Sequence, residues 1–339
     1  MTAAGLLARP PEEGARLLAL SFLEQAAEAR PRLADPADAE ALHDFRVGLR
    51  RLRSCLRAYR AFLKESVPRK LASELRRLAR STGPGRDTEV QIEWLRGCGP
   101  ELSPHHRAGL AWLLARLEER MRAAFAEMKD EVEQEFADLA AGLRARLSVY
   151  RTEVHLDAAA EPRSTLGEAT AEILRGQTAD LEEHLARIGG AGDEKAAHRA
   201  RISAKRVRYL LEPFAEEIPE AGAVVKRFKV LQDLLGELHD AHVLEAVLAA
   251  AVEAAAAERV RKLLEISLAD APDEKLLRTE RRRARASGLL ALACINRARR
   301  DRLFAALAAE WLNGKAGGFL REVEGLEEAM TAQDRIARA

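Results

Sequence analysis

Apolar residues recur along most of the chain at steps of three and four, the period of one helix face. Phe45, Leu49, Leu52, Leu56, Tyr59 and Leu63 make one such stripe, and Ala200, Ala204, Val207, Leu211 and Phe214 another. No segment sustains the two-residue alternation of a half-buried strand, so the pattern predicts no sheet. Proline and glycine separate the periodic segments, at Pro31 and Pro36, Pro68, Gly83-Pro84-Gly85, Gly99-Pro100 and Gly189-Gly190. Helices are predicted near residues 12–30, 39–64, 69–81, 87–96 and 104–146. A second series follows near 165–188, 194–217, 224–235, 240–268 and 275–312, with a terminal helix in 313–339. Short connections between antiparallel helices make bundles, so the expected class is all-α.

A second stripe shares the period of the first but is cationic. His43, Arg46, Arg50, Arg53 and Arg57 follow steps of three and four. At about 100° of rotation per residue they lie roughly 110° from the apolar seam, on its shoulder and not opposite it. Residues 45–60 hold six arginines and no acid, and like charges at helical spacing repel. The stripe returns 155 residues later as His198, Arg201, Lys205 and Arg208, with a cation facing each cation of the first copy from Arg46 to Arg53. Leu78 to Gly83 with Asp87 and Val90 likewise matches Leu231 to Gly236 with Asp240 and Val243, while Gly109-Leu110 and Phe125 match Gly288-Leu289 and Phe304. These matches predict an internal duplication: a first bundle over 1–150, a second over 151–312 reached through a polar link at 151–163, and a tail over 313–339. Packed about a pseudo-twofold axis, the two strips would face each other across a basic central groove or pore.

Charge and composition sharpen this picture. Fifty-five Lys and Arg against 54 Asp and Glu leave a formal net charge of +1. Attraction for an anion therefore depends on local arrangement, not on overall charge. Aromatics are only 4% of a chain rich in Ala, Leu, Arg and Glu, a composition that reads as a soluble, almost wholly helical protein. The three cysteines, Cys55, Cys98 and Cys294, lack metal-ligand spacing, and their odd number argues against a disulfide framework. The N-terminal apolar run is too short for a signal peptide, and the stretch from Val243 to Ala257 is too short and too charged to span a bilayer. A cytoplasmic protein with no membrane segment is expected.

The stretch His43-Asp-Phe-Arg-Val-Gly-Leu-Arg-Arg-Leu-Arg53, then Gly83 and Arg86-Asp87, the second basic helix and Leu231-Gln-Asp-Leu-Leu-Gly-Glu-Leu-His-Asp240 resemble the CHAD domain, the conserved histidine α-helical domain. The resemblance covers about residues 10–312. It implies two helical bundles with internal pseudo-symmetry, binding of inorganic polyphosphate by basic residues lining a central cavity, and association with polyphosphate granules. Residue by residue it implies His43, Arg46, Arg50 and Arg53 in one strip and His198, Arg201, Lys205 and Arg208 in the other. Arg57 continues the first strip; Arg76 and Arg80, with Lys226 and Lys229, would widen the lining, and Arg86 and His239 belong to the matching motifs. Two departures stand out: Glu212 falls where the repeat would place a partner for Arg57, and Gly83-Pro84-Gly85 interrupts the first copy where the second reads Gly236-Glu237-Leu238.

Other residues read more plainly. Arg51 and Arg206 point about 100° or more off the stripe and suit structural ion pairs. Asp87 and Asp240 suit helix caps after a break, or pairing with a nearby cation such as Arg86. Arg281 to Arg302 forms a further basic helix, either solvated or an accessory surface. No zinc-protease, paired-cysteine, Walker-type or Ser/His/Asp motif appears, so neither an enzyme nor a bound metal or cofactor is expected. A nucleic-acid backbone would also suit the arginines, but the strips carry almost no aromatics for base stacking, and no recognition motif appears. An acidic protein partner is the remaining alternative. Histidines heading both strips would add charge as pH falls through about 6.5.

Overall fold

Pro11 occupies the first turn of the opening helix, where a missing N–H costs nothing, with Glu12 and Glu13 beside it at the positive end of the helix dipole. Similar local rules set the whole order: α1 Pro11–Arg32, α2 Ala41–Ala58, α3 Arg60–Leu63, α4 Arg69–Ser81, α5 Gly83–Gly97 and α6 Arg107–Leu147. Then come α7 Leu166–Ala186, α8 Glu194–Leu211, α9 Pro219–Ser267, α10 Glu274–Arg282, α11 Arg285–Glu310 and α12 Gly317–Ala337. The computed structural model describes residues 5–35, 38, 40–149, 164–216, 218–269, 273–282 and 285–337, and every regular element among them is helical. The expected link at 151–163, the break at Pro36, the start at Ala39 and the end at Glu217 lie outside the described residues, as do Arg283 and the side chains of Arg281 and Arg282.

Several boundaries differ from the sequence reading, each for a local reason. The basic helix expected over 39–64 divides at Tyr59, which turns to φ −95°, ψ 25° and is buried. Its hydroxyl meets the Thr170 hydroxyl of α7 at 2.8 Å. α8 ends at Leu211, and Glu212–Phe214 tightens into a 3-10 turn where Pro213 lacks a backbone donor. The helices expected over 224–235 and 240–268 are one 49-residue helix, α9. Gly236 costs only about 1 kcal/mol in a helix interior, less than the packing of α8 and α11 on α9 supplies. Gly83-Pro84-Gly85 does not interrupt the fold either: Pro84 sits in the first turn of α5, which starts two residues after α4 ends. The 275–312 segment divides into α10 and α11, and the left-handed pair Asn313 (φ 55°) and Gly314 (φ 79°) turns the chain into α12.

α2 packs on α1 and α4, α8 packs on α7 and α9, and α2 meets α8. The long α6 runs along α5, α4 and α1; on the other side α11 covers α9 and α12 covers α7. Gly109 of α6 and Gly288 of α11 lie against each other, and a Cβ on Gly288 would come 2.2 Å from the His106 carbonyl oxygen. Only glycine permits that crossing. Gly48 similarly lets α2 approach the backbone of Ala26 in α1. The larger hydrophobic core draws on both halves of the chain and on α12, while a smaller one joins α5, the start of α6, the middle of α9 and α11. Both apolar stripes foreseen along α2 and α8 are buried throughout. No helix among the described residues is long and apolar enough to cross a membrane.

Candidate functional site

Because the cationic stripes sit on the shoulder of buried seams, their stems are drawn toward the interior. Arg46, Arg50, Arg53, Arg201 and Lys205 are half-buried. Among the described residues none of the five forms a salt bridge, although the neighbouring Arg51, Arg86 and Arg208 do. Arg46 Nη1 and the Nε atoms of Arg50, Arg201 and Arg206 are buried without a hydrogen-bond partner in the protein. A buried donor left unpaired costs roughly 1–3 kcal/mol, and more when charged, so the folded chain spends stability to hold these groups.

Their proton affinities register the same crowding. Burial, then Arg50, pushes the Arg46 guanidinium down to about 10, with Asp87 partly opposing. Burial, then Arg206 and Arg53, takes Arg57 to about 10 as well. Arg53 is lowered by burial, Arg80 and Arg76, and Arg201 chiefly by burial. Lys205 falls furthest, to about 7, through burial and then Arg201, Arg50 and Arg208. Like-charged neighbours on two different helices are thus held within electrostatic reach.

Arg50, Arg53, Arg57 and Lys205 open onto a cavity of about 1020 Å³ between the two basic helices, whereas Arg46 and Arg201 do not line it. Arg50, Arg53 and Arg57 come from α2, Arg60 from α3, Lys64 from the following turn, Arg69 and Arg76 from α4, and Lys205 and Arg206 from α8. Nine cations line it and no carboxylate does. Leu56, Leu63, Val67 and Leu75 supply an apolar floor. Arg60, Lys64 and Arg69 escaped the sequence reading. A signal was present for the first two, since 53, 57, 60 and 64 keep the three-and-four step past the bend at Tyr59.

The remaining candidates are placed unevenly. Arg206, read as a structural partner, instead lines the cavity, whereas Arg51 bonds through Nε to Glu212 at 3.0 Å. Glu212 also takes Arg208, 2.8 Å away, so one carboxylate ties the far end of α8 to α2. Arg76 and Arg80 are exposed on α4, and both lower Arg53. Arg86 pairs with Glu89 at 2.7 Å. Lys226 and Lys229 are exposed on α9 and line no cavity described here. His43 is exposed in the first turn of α2; His198 lies a full turn inside α8, its ring 4.8 Å from that of His239. Burial and Arg201 hold both His198 and His239 below the ordinary histidine range, His239 at about 4.

Asp87 and Asp240 are not caps. Asp87 lies inside α5 and Asp240 in mid-α9, where burial raises its carboxyl while Arg201 opposes the rise. On the further basic helix, Arg299 lies over Trp94 and 3.5 Å from Glu237, and Arg300 pairs with Glu245 and Asp301. No group of three or more His, Cys, Asp or Glu able to hold a metal occurs among the described residues.

Comparison with known proteins agrees with this architecture. The family model for the CHAD domain matches residues 18–249. A crystal structure of the CHAD domain from the plant Ricinus communis superposes with a TM-score of 0.60 at 23% identity, covering 89% of this chain and 92% of that one. PptA from Streptomyces chartreusis gives the same TM-score at 18% identity, covering 89% of this chain and 99% of its own. No curated protein matches the sequence.

Proposed function

The chain belongs to the CHAD domain family, and from that membership we propose that it binds inorganic polyphosphate without transforming it. The observation that carries this is the cavity wall: nine cations from five segments, none answered by a carboxylate in that wall. Guanidinium forks donate to phosphate oxygens in pairs, and successive helical turns repeat them about every 5.4 Å, which suits an extended polymer of phosphates. A chain lying between α2 and α8 would meet donors on both sides, relieve the mutual repulsion of Arg50, Arg53, Arg57, Lys205 and Arg206, and release its own counterions. Asp87 and Asp240, which act electrostatically on Arg46 and Arg201, and Glu212, which pairs with Arg208, lie outside the cavity wall, which holds no carboxylate to serve as base or metal ligand. The proposed setting is the cytoplasm, at polyphosphate granules.

Titration with long-chain polyphosphate tests this. Arg50→Ala/Arg53→Ala/Lys205→Ala should weaken binding by about 100-fold or more, since hydrogen bonds to charged groups each contribute roughly 1.5–3 kcal/mol. Wild-type affinity in the folded triple variant would refute the proposal. RNA or DNA that displaces polyphosphate at equal phosphate concentration would replace it with a nucleic-acid backbone site.

A further inference from the structure

Arg50 stands between two cavities. Beyond it, toward the start of α2, lies a second one of about 780 Å³, in the size range of small-molecule sites. Its wall is unlike the first. Phe125 from α6 and Leu42 from α2 form an apolar face, Arg46 and Arg50 line the cavity as well, and so do the carboxylates of Asp35, Asp38, Glu40, Glu89 and Glu133, of which Asp38 pairs with Arg32 and Glu89 with Arg86. The Phe125 ring packs directly on Gly85, where an added Cβ would come within 2.7 Å of it. Arg46 Nη1 and Arg50 Nε are the buried donors without a protein partner described above. A bare polyanion gains nothing from the apolar face and offers no N–H donor to the carboxylates. A phosphorylated molecule with a flat apolar body and N–H donors matches all three features.

We infer that this second cavity is a binding site for a nucleoside di- or triphosphate. The base packs against Phe125 and Leu42, its exocyclic amine donates to Glu40 or Glu133, and the phosphates reach Arg46 and Arg50. The site does not require that the larger cavity hold polyphosphate, but Arg50 lines both, so the terminal phosphate of a nucleotide and a polyphosphate chain contend for one guanidinium.

The test compares ATP, UTP and inorganic triphosphate, without magnesium, by calorimetry on the full chain. Base–aromatic packing should make ATP bind about fivefold or more tighter than triphosphate, and UTP, which lacks an exocyclic amine, should fall between them. Leu42→Gln and Phe125→Ser should each remove the advantage of ATP while long-chain polyphosphate affinity stays within about twofold of wild type. Equal affinity for ATP and triphosphate in the wild-type chain overturns the inference, and that comparison needs no variant to fold. So does a parallel loss of ATP and polyphosphate binding in both folded variants. If polyphosphate fails to bind while ATP still outcompetes triphosphate, the second site stands and the first proposal falls.

Discussion

Lys205 carries a chemical consequence that the histidines were expected to carry. Sequence spacing pointed to His43 and His198 as the groups that gain charge near neutral pH. Burial and adjacent cations instead hold His198 below its ordinary range and bring Lys205 down to about 7. A bound polyanion favours the charged ammonium, so it raises the Lys205 pKa and binding takes up a proton between pH 7 and the raised value. Affinity for polyphosphate should therefore fall as pH rises from 7 to 9, and Lys205→Arg, always charged, should flatten that slope. Stability of the unliganded protein moves the opposite way. The unfolded lysine titrates near about 10.4, so between pH 7 and 10 the unfolded chain binds more protons, and this group's contribution to stability improves with rising pH. Calorimetry across pH checks the first trend, and denaturant melts of wild type against Lys205→Met check the second.

Arg206 and Arg51 give a second test at single positions. They occupy matching places in the two motifs, yet one lines the cavity and the other is spent on Glu212. Arg206→Ala should weaken polyphosphate binding by about tenfold, while Arg51→Ala should leave it nearly unchanged. Equal losses in titrations of the two variants would show that the ion pair does not hold Arg51 out of the site.

Among the helices, what could be read in advance depended on the range of the force that decides each feature. The apolar seams of α2 and α8 were legible because burial of one face imposes its period on the sequence. The break at Tyr59 was not, because it depends on a hydroxyl contact with Thr170 more than a hundred residues away. The continuity of α9 through Gly236 was hidden for a related reason: local propensity favours a stop, and packing by α8 and α11 overrides it. The αα crossing at Gly109 and Gly288 shows the same limit. The two glycines were recognisable as matching positions, but only the fold reveals that they touch. Gly288→Ala places a Cβ against the His106 carbonyl, and should cost about 1–3 kcal/mol, read as a lower urea midpoint with an unchanged slope. A midpoint equal to wild type would mean the helices part without cost.

Across the molecule, the cationic stripe pointed to an anion site, and the structure adds which cations share a cavity. Lys226 and Lys229 were enlisted by repeat matching and lie outside it; Arg60, Lys64 and Arg69 were passed over, Arg206 was read as an ion-pair partner, and all four lie within it. Spacing along one helix determines a face, but whether that face meets a second helix depends on packing between distant segments. The near-zero net charge sharpens the point, since whole-chain attraction is weak and placement must do the work.

That distinction can be measured with the same number of basic side chains removed. Long-chain polyphosphate affinity at physiological ionic strength should drop about 30-fold or more in Arg53→Ala/Lys205→Ala, which removes two cations of the cavity wall, and change less than about threefold in Lys226→Ala/Lys229→Ala, which removes two exposed ones. If the two double variants lose affinity equally, the ligand responds to net charge and not to the cavity between α2 and α8, and the site described here is wrong.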